Sequence, residues 1–361
     1  MGDFSEHIFD LIDGRTVEIL KKGAEEKGIT KEECAYLLDF NENSLESRIT
    51  SVVADSIMRR RNNNAGIISA QIGIEIEPCE GNCKFCNFGK NHSDVTKHEM
   101  SIEEIEDRVR TLTECGDVQS IFLMTTHKFD LDRIMSAIKA VRRIDPIVEI
   151  GVNVGDAGID EFKEMRRAGA RAIYHACRLR EGVDTDLNKD DRIKTMENAK
   201  EAGMDVYTCC EPIGPEHEID ELVDNFFIGI EQGCKQHAVM RRIAVPRTPL
   251  YDKGQITEIR LGQLCAVFSL AALQVKDFRY MMVHEPNQYG FVSGANNMAA
   301  ESGANPRDRK DNTEDGRGWG LVKARNALFD GGFTNLIRGD GSLIKLDLEH
   351  LEKTSSTGEL K

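Results

Sequence analysis

An α/β fold, a (βα)8 TIM-type barrel with an N-terminal helical extension, is the architecture that this 361-residue sequence predicts. Three observations predict it. After residue 67, short β-rich runs alternate with amphipathic helical stretches, which specifies a parallel sheet. Seven or more such units favour closure into a barrel over an open, doubly wound sheet. No Gly-x-Gly-x-x-Gly follows the first strand, so a dinucleotide-binding open sheet has no support.

Taken in order, residues 1–67 read as the helical extension, because Phe9, Ile12, Val17 and Leu20 recur at near-helical spacing. Its end is the polar run Arg59-Arg60-Arg61-Asn62-Asn63-Asn64, which predicts a solvated helix end. The barrel is assigned to 68–335. Strands are predicted at 70–76, 119–124, 148–152, 172–175, 205–208, 238–244 and 278–283. Helices are predicted at 101–115, 131–143, 159–168, 192–202, 218–232 and 258–273. Gly169 and Gly203 sit between a helix and the next strand, which is C-cap punctuation. The polar, Gly-rich stretch 305–317 reads as a loop or flap. Residues 336–361 read as a C-terminal segment and tail, disordered from Lys353 onward.

Composition narrows the function. Acidic residues outnumber basic ones by 62 to 47, and a formal charge of −15 repels phosphate backbones, so nucleic acid is excluded as a main partner. The longest apolar segment, 265–275, contains Ser269 and Gln274 and falls short of the ~18 apolar residues that a bilayer span needs, so no membrane partner is expected. The opening MGDFSEHIFDLIDG has no basic stretch followed by an apolar one, which predicts no secretory signal and a cytoplasmic location. In that compartment thiols stay reduced, and a tight cysteine cluster points to metal more than to disulfides.

Three of the ten cysteines crowd into Cys79-x3-Cys83-x2-Cys86, in the loop after the first predicted strand. In a (βα)8 barrel that loop lies at the catalytic, C-terminal face. Three thiolates on a short loop suit three irons of a [4Fe–4S] cube and leave the fourth iron open. The competing reading is zinc completed by His92 or His98, although no second paired spacing is recognisable nearby.

The spacing, with aromatic Phe85 just before the third cysteine, resembles the radical S-adenosylmethionine (SAM) superfamily. Closer likeness, to the group of biotin synthase, hydrogenase maturase and methylornithine synthase, is carried by three stretches: Val245-Pro246-Arg247-Thr248-Pro249-Leu250, Gly294-Ala295-Asn296-Asn297, and Arg-Leu-Arg-Glu at 178–181. The resemblance implies a [4Fe–4S] cluster on Cys79, Cys83 and Cys86, with SAM as cofactor. It also implies a 5′-deoxyadenosyl radical that abstracts hydrogen from a small-molecule substrate in cofactor or unusual amino-acid biosynthesis, and a reducing partner such as ferredoxin or flavodoxin.

By the same resemblance, Phe85, Thr125, Thr126, Asn153, Arg180, Glu181, Ile213, Val245 and Arg247 are expected around SAM. His127 follows Thr126 where the family often has an acidic residue. Asn153 suits hydrogen bonds to SAM or a helix cap, and Arg180–Glu181 suits a zwitterion or a surface pair. Tyr174, His175, Arg279 and His284, and more loosely Arg247 and Glu285, are expected in the substrate pocket or filling the barrel interior. The strand positions where biotin synthase carries further cluster cysteines are expected to hold Leu123, Gly151 and Tyr207, which disfavours biotin synthesis. Two alternatives stay open. One is a sulfur-inserting synthase of the biotin or lipoyl type, with a second cluster involving Cys177, Cys209 or Cys210 and, for the lipoyl type, a carrier protein. The other is a non-catalytic zinc-binding or assembly protein.

Overall fold

Nine consecutive buried residues, Ala65–Gly73, form the first strand, β1. A parallel strand covered on both faces has no need of polar alternation, which is why this run lacks it. In the computed structural model, which describes residues 11–284, 287–300 and 319–357, β1 is followed by a small antiparallel pair, β2 (Glu75–Ile76) and β3 (His98–Glu99). Then come β4 (Ser120–Met124), β5 (Glu149–Asn153), β6 (Ala172–Tyr174), β7 (Asp205–Ile213), β8 (Gln236–Arg241), β9 (Tyr280–His284) and β10 (Asn297–Ala300). From β1 to β4 and onward each strand pairs in parallel with the next, and β10 pairs back with β1, closing an eight-stranded barrel. The eighth strand is the Asn297 stretch, which its residues alone do not announce as a strand.

Helices α1 (Gly14–Ala24), α2 (Lys31–Asp39) and α3 (Leu45–Arg61) precede the barrel. The intervening helices are α4 (Ile102–Thr113), α5 (Leu131–Ile144), α6 (Ile159–Ala168), α7 (Lys189–Glu201), α8 (Ile219–Glu231), α9 (Glu258–Ala272) and the one-turn α10 (Gln288–Phe291). Their starts follow from side-chain caps: Ser101 and Glu104 form a capping box on α4, Asp130 caps α5, and Asn188 caps α7. Helix α9 is buried on every face from Leu261 to Ala272, because the N-terminal helices cover its outer face. Gln263 donates to the carbonyls of Leu37 and Phe40 and to Ser47 Oγ, and Arg260 donates to the Leu38 carbonyl. Among the described residues, no helix is long and apolar enough to cross a membrane.

Several expectations need correction. The first strand begins at Ala65, inside the stretch assigned to the helical extension, because Ala65 and Gly66 pair with Asn335 and Leu336 of β11 (Asn335–Ile337). The arginines ending α3 are not simply solvated: Arg59 donates to the carbonyls of Phe291 and Gly331, and Arg61 to Glu26 and the Phe278 carbonyl, which ties the extension to the barrel. The C-terminal segment is ordered past Lys353. Helices α11 (Leu321–Asp330) and α12 (Leu348–Thr354) flank β11 and β12 (Leu343–Lys345), and Thr354 is buried. The predicted flap at 305–317 and Glu285 lie outside the described residues.

Candidate active site

The cysteine loop leaves β1 at the C-terminal face of the barrel and closes on itself. Cys79 N–H donates to the Phe88 carbonyl at 2.7 Å, and Lys90 N–H donates to the Cys79 carbonyl at 3.1 Å. Ile76, Phe88 and Val95 form a small core beneath it, against which Cys79 and Cys86 pack. Two backbone bonds, Lys84 N–H to the Asp184 carbonyl and Asp186 N–H to the Gly81 carbonyl, anchor the loop to the segment after β6.

All three thiols line one cavity, together with Phe85, Thr125, Thr126, His127, Asn153, Arg178 and Arg192. Burial pushes the Cys83 thiol up to about 12, opposed chiefly by the Arg178 guanidinium. A soft metal displaces such a proton, and a nearby cation favours the thiolate. The donor set therefore fits an iron–sulfur cluster that takes three protein thiolates. Zinc fares worse: His92 Nε2 is 2.7 Å from the Cys86 carbonyl oxygen, and His98 is exposed on β3. Among the described residues, no three His, Cys, Asp or Glu side chains gather tightly enough to hold a single metal ion.

A second cavity occupies the barrel interior and shares Phe85, Cys86, Met124, Asn153 and Arg178 with the first. Its side walls include Tyr174, Glu211, Val245 and His284, and its floor Ser69, Gln71 and Gln236. Tyr174 donates to Glu211 Oε2 at 2.7 Å, and Arg178 Nε lies 3.5 Å from Glu211 Oε1, so the buried carboxylate is matched from two sides. Below runs a hydrogen-bond chain: Ser120 to Ser69, Ser69 to Asn297, and Asn297 to Gln236. Gln71 Nε2 lies 3.4 Å from His284 Nε2. Gly151 leaves room for the Phe122 ring, which a Cβ would meet at 2.4 Å.

Most of the residues expected from the sequence gather here. Phe85 and Asn153 line both cavities, Thr125 and Thr126 the cysteine cavity, and Val245, Tyr174 and His284 the barrel cavity. The others do not. Arg180 turns away to pair with Glu221 of α8 at 2.8 Å, and the buried Glu181 accepts from Arg178 N–H and Thr185 Oγ1. Ile213 belongs to the core outside the barrel, and Arg247 reaches across the rim to Asp94 at 2.9 Å. His175 is buried behind the lining, 3.2 Å from Asp156. Arg279 lies at the opposite end: it precedes β9, and it pairs at 3.0 Å with Asp205, the first residue of β7, at the N-terminal mouth. A residue before a parallel strand sits at that mouth, whatever its sequence context.

The corresponding cysteine positions also need adjusting. Leu123 packs in the outer core, and its neighbour Phe122 faces inward with Tyr207. Of the three spare thiols, Cys209 packs inside against Tyr174, Met240 and Met282, whereas Cys177 and Cys210 lie in the outer core. Burial pushes the Cys177 thiol up to about 11 and the other two upward as well. The three sulfurs are thus divided between the barrel interior and the outer core. Sequence reasoning missed Arg178, Glu211, Asp156 and Arg192; only Arg178 had a signal, as a member of the 178–181 stretch.

Comparison with known proteins agrees with this geometry. The family profile of the radical SAM superfamily matches residues 76–227. The [FeFe]-hydrogenase maturase subunit HydE of Thermotoga maritima is 24% identical over 249 residues, 66% of this chain and 70% of HydE. A biotin synthase of Acetivibrio thermocellus is 24% identical over 289 residues, 75% of this chain and 87% of that protein. Among solved structures, methylornithine synthase (PylB) superposes with a TM-score of 0.74 at 15% identity, covering 87% of this chain and 96% of its own. The [FeFe]-hydrogenase maturase HydG gives 0.73 at 18% identity, covering 91% and 77%. The chain is an enzyme that carries a radical SAM superfamily domain over residues 76–227, and it is similar in sequence to HydE and biotin synthase at low identity.

Proposed function

We propose that this enzyme holds a [4Fe–4S] cluster on Cys79, Cys83 and Cys86 and binds SAM beside it, in order to abstract hydrogen from a small molecule in the barrel cavity. The observation that carries this reading is the shared wall: the cavity lined by the three thiols and the barrel cavity meet at Phe85, Cys86, Met124, Asn153 and Arg178. When bound and reduced by an external one-electron donor such as ferredoxin or flavodoxin, the cluster supplies the electron that cleaves SAM to a 5′-deoxyadenosyl radical.

The chain's own residues bind, orient and shield. Phe85, Thr125, Thr126 and Asn153 surround the cofactor, and Val245 closes the side toward β8. Arg178 stands between the cavities and offers a fixed cation to an anionic group in either. Tyr174, Glu211, Gln71 and His284 present donors and acceptors to the substrate, while Phe122, Met124, Met240 and Met282 keep water from a reactive intermediate. The product belongs to cofactor or unusual amino-acid biosynthesis, formed by cleavage, rearrangement or bond formation after hydrogen abstraction.

Anaerobic reconstitution tests the proposal. Wild-type protein is expected to hold about four irons per chain and to release 5′-deoxyadenosine only with reductant and SAM, whereas Cys83→Ala does neither. Zinc in anaerobically purified protein, or no SAM cleavage by fully loaded protein, would falsify it.

A further inference from the structure

The charges around the barrel cavity are unevenly spent. Among its described lining residues Glu211 is the one carboxylate, against three guanidinium groups, Arg178, Arg241 and Arg242. Two of these are occupied elsewhere: Arg241 donates to Glu258 Oε1 at 3.1 Å and to the Ile256 carbonyl, and Arg242 grips both oxygens of Glu216 and the Gly254 carbonyl. Arg178 stands near Glu211, with Nε 3.5 Å from Oε1, and lines the cysteine cavity as well. Burial disfavours its charge, and Cys83 upholds that charge ahead of Glu211. One cation thus answers for two sets of acidic groups, three thiols on one side of the wall and a buried carboxylate on the other.

Glu211 is 5% exposed and sits near the C-terminal end of β7, whose alternate residues Tyr207, Cys209 and Glu211 face the barrel interior. Tyr174 donates to its Oε2 at 2.7 Å, and a carboxylate accepts about four such bonds, so Glu211 keeps capacity for a donor from the cavity. Deeper in, the polar groups are uncharged and bonded to one another. Gln236 is level with Tyr207 in the β7–β8 register, four residues or about 13 Å of strand below Glu211, and accepts from Asn297 at 2.8 Å. Asn297 accepts from Ser69 at 3.1 Å, and Ser69 from Ser120 at 2.9 Å. An anionic group pushed down to Gln236 and Ser69 would lose its water and meet no cation among the described lining residues there.

We infer that the substrate of the barrel cavity carries a protonated amine, which Glu211 receives near the mouth, and an uncharged inner end, an inference that rests on the small-molecule reading proposed above. An ammonium group has three N–H donors, and beside Glu211 it supplies the positive charge that Arg178 divides with the thiols. Phe122, Met124, Met240 and Met282 face the carbon skeleton between the two ends. The uncharged amides and hydroxyls of the floor then meet a hydroxyl, an amide or plain hydrocarbon, and reject a carboxylate or phosphate. Glu211 is thus the residue that selects the substrate by charge.

The test is equilibrium binding of three probes of like size, n-butylammonium, n-butanol and butyrate, to cluster-loaded protein with SAM bound and no reductant. Wild-type protein is expected to bind n-butylammonium at least about tenfold more tightly than n-butanol, the worth of a hydrogen bond to a charged group, and butyrate no more tightly than n-butanol. Glu211→Gln keeps the shape and is expected to remove the preference while leaving n-butanol within about twofold. Glu211→Asp restores the charge on a shorter arm and is expected to recover part of the preference, which separates loss of charge from loss of cavity shape. Both variants are expected to hold SAM within about twofold of wild type. Weakening of SAM by about tenfold or more in Glu211→Gln assigns the carboxylate to a cation of the cofactor and overturns the inference. No preference for n-butylammonium in wild type, a preference that survives Glu211→Gln, or loss of all three probes in Glu211→Gln without recovery in Glu211→Asp overturns it too. Wild-type protein that binds no SAM overturns the cofactor reading itself, and the inference with it.

Discussion

Arg178 and Arg180 are two residues apart and have opposite fates. Arg178 stands at the wall between the two cavities, 3.5 Å from Glu211, and its charge is favoured by Cys83 and Glu211 despite the cost of burial. Arg180, at a φ of 54°, faces outward to Glu221, whose carboxyl that hydrogen bond holds down at about 2. The two residues are equivalent in composition and charge, and only the path of the loop after β6 separates them. Arg178→Met is expected to lower reductant-dependent SAM cleavage by at least about tenfold, the worth of one charge-assisted hydrogen bond. Arg279→Met, at the far mouth of the barrel, is expected to leave cleavage within about twofold and to cost about 1 kcal/mol of stability, as a half-exposed ion pair does. Denaturant unfolding beside a 5′-deoxyadenosine assay separates the two effects.

At the scale of elements, the C-terminal segment shows how a short helix that could not form alone is held. Helix α12 spans seven residues, too few to be stable in water by propensity. Buried Arg325 of α11 donates to both oxygens of Asp117 at 2.6 and 3.1 Å and to the carbonyls of Thr354 and Thr357, while His350 Nε2 lies 3.0 Å from Asp117. Arg325→Met strands a buried carboxylate and is expected to destabilise by about 3–5 kcal/mol, with much of that recovered in the Arg325→Met, Asp117→Asn double variant. Burial raises the Asp117 carboxyl, but His350 and Arg325 prevail and hold it below its ordinary 3.8. A carboxyl depressed in the folded state contributes stability above its unfolded value and loses it as pH falls through the folded one. The melting temperature is therefore expected to drop below about pH 4, and to drop less in the double variant. No local pattern marks this knot, since Asp117 is more than 200 residues from both Arg325 and His350 along the chain.

Across the whole molecule, the ten cysteines divide by solvent access. Cys79, Cys86 and Cys115 are partly exposed, and the other seven are buried. A thiol reagent applied to native, metal-free protein is expected to modify Cys79, Cys86 and Cys115 first, and iron–sulfur loading is expected to protect Cys79 and Cys86 alone; peptide mass spectrometry reads both. The alternation of strand and helix was legible because each period is local: caps such as Ser101 with Glu104, and buried runs such as Ala65–Gly73, lie within a few residues of each other. The cluster ligands were legible for the same reason, as all three sit on one eight-residue loop. The eighth strand, the inward turn of Phe122 over Leu123 and the placing of Arg279 at the wrong mouth for catalysis depend instead on where each strand starts and on closure of the barrel by β10 against β1. By itself the sequence determined the barrel class and the three-thiol loop. Tertiary structure decided which charged side chains face the cavities, because barrel closure sets strand polarity and register, and these assign each residue a face and an end.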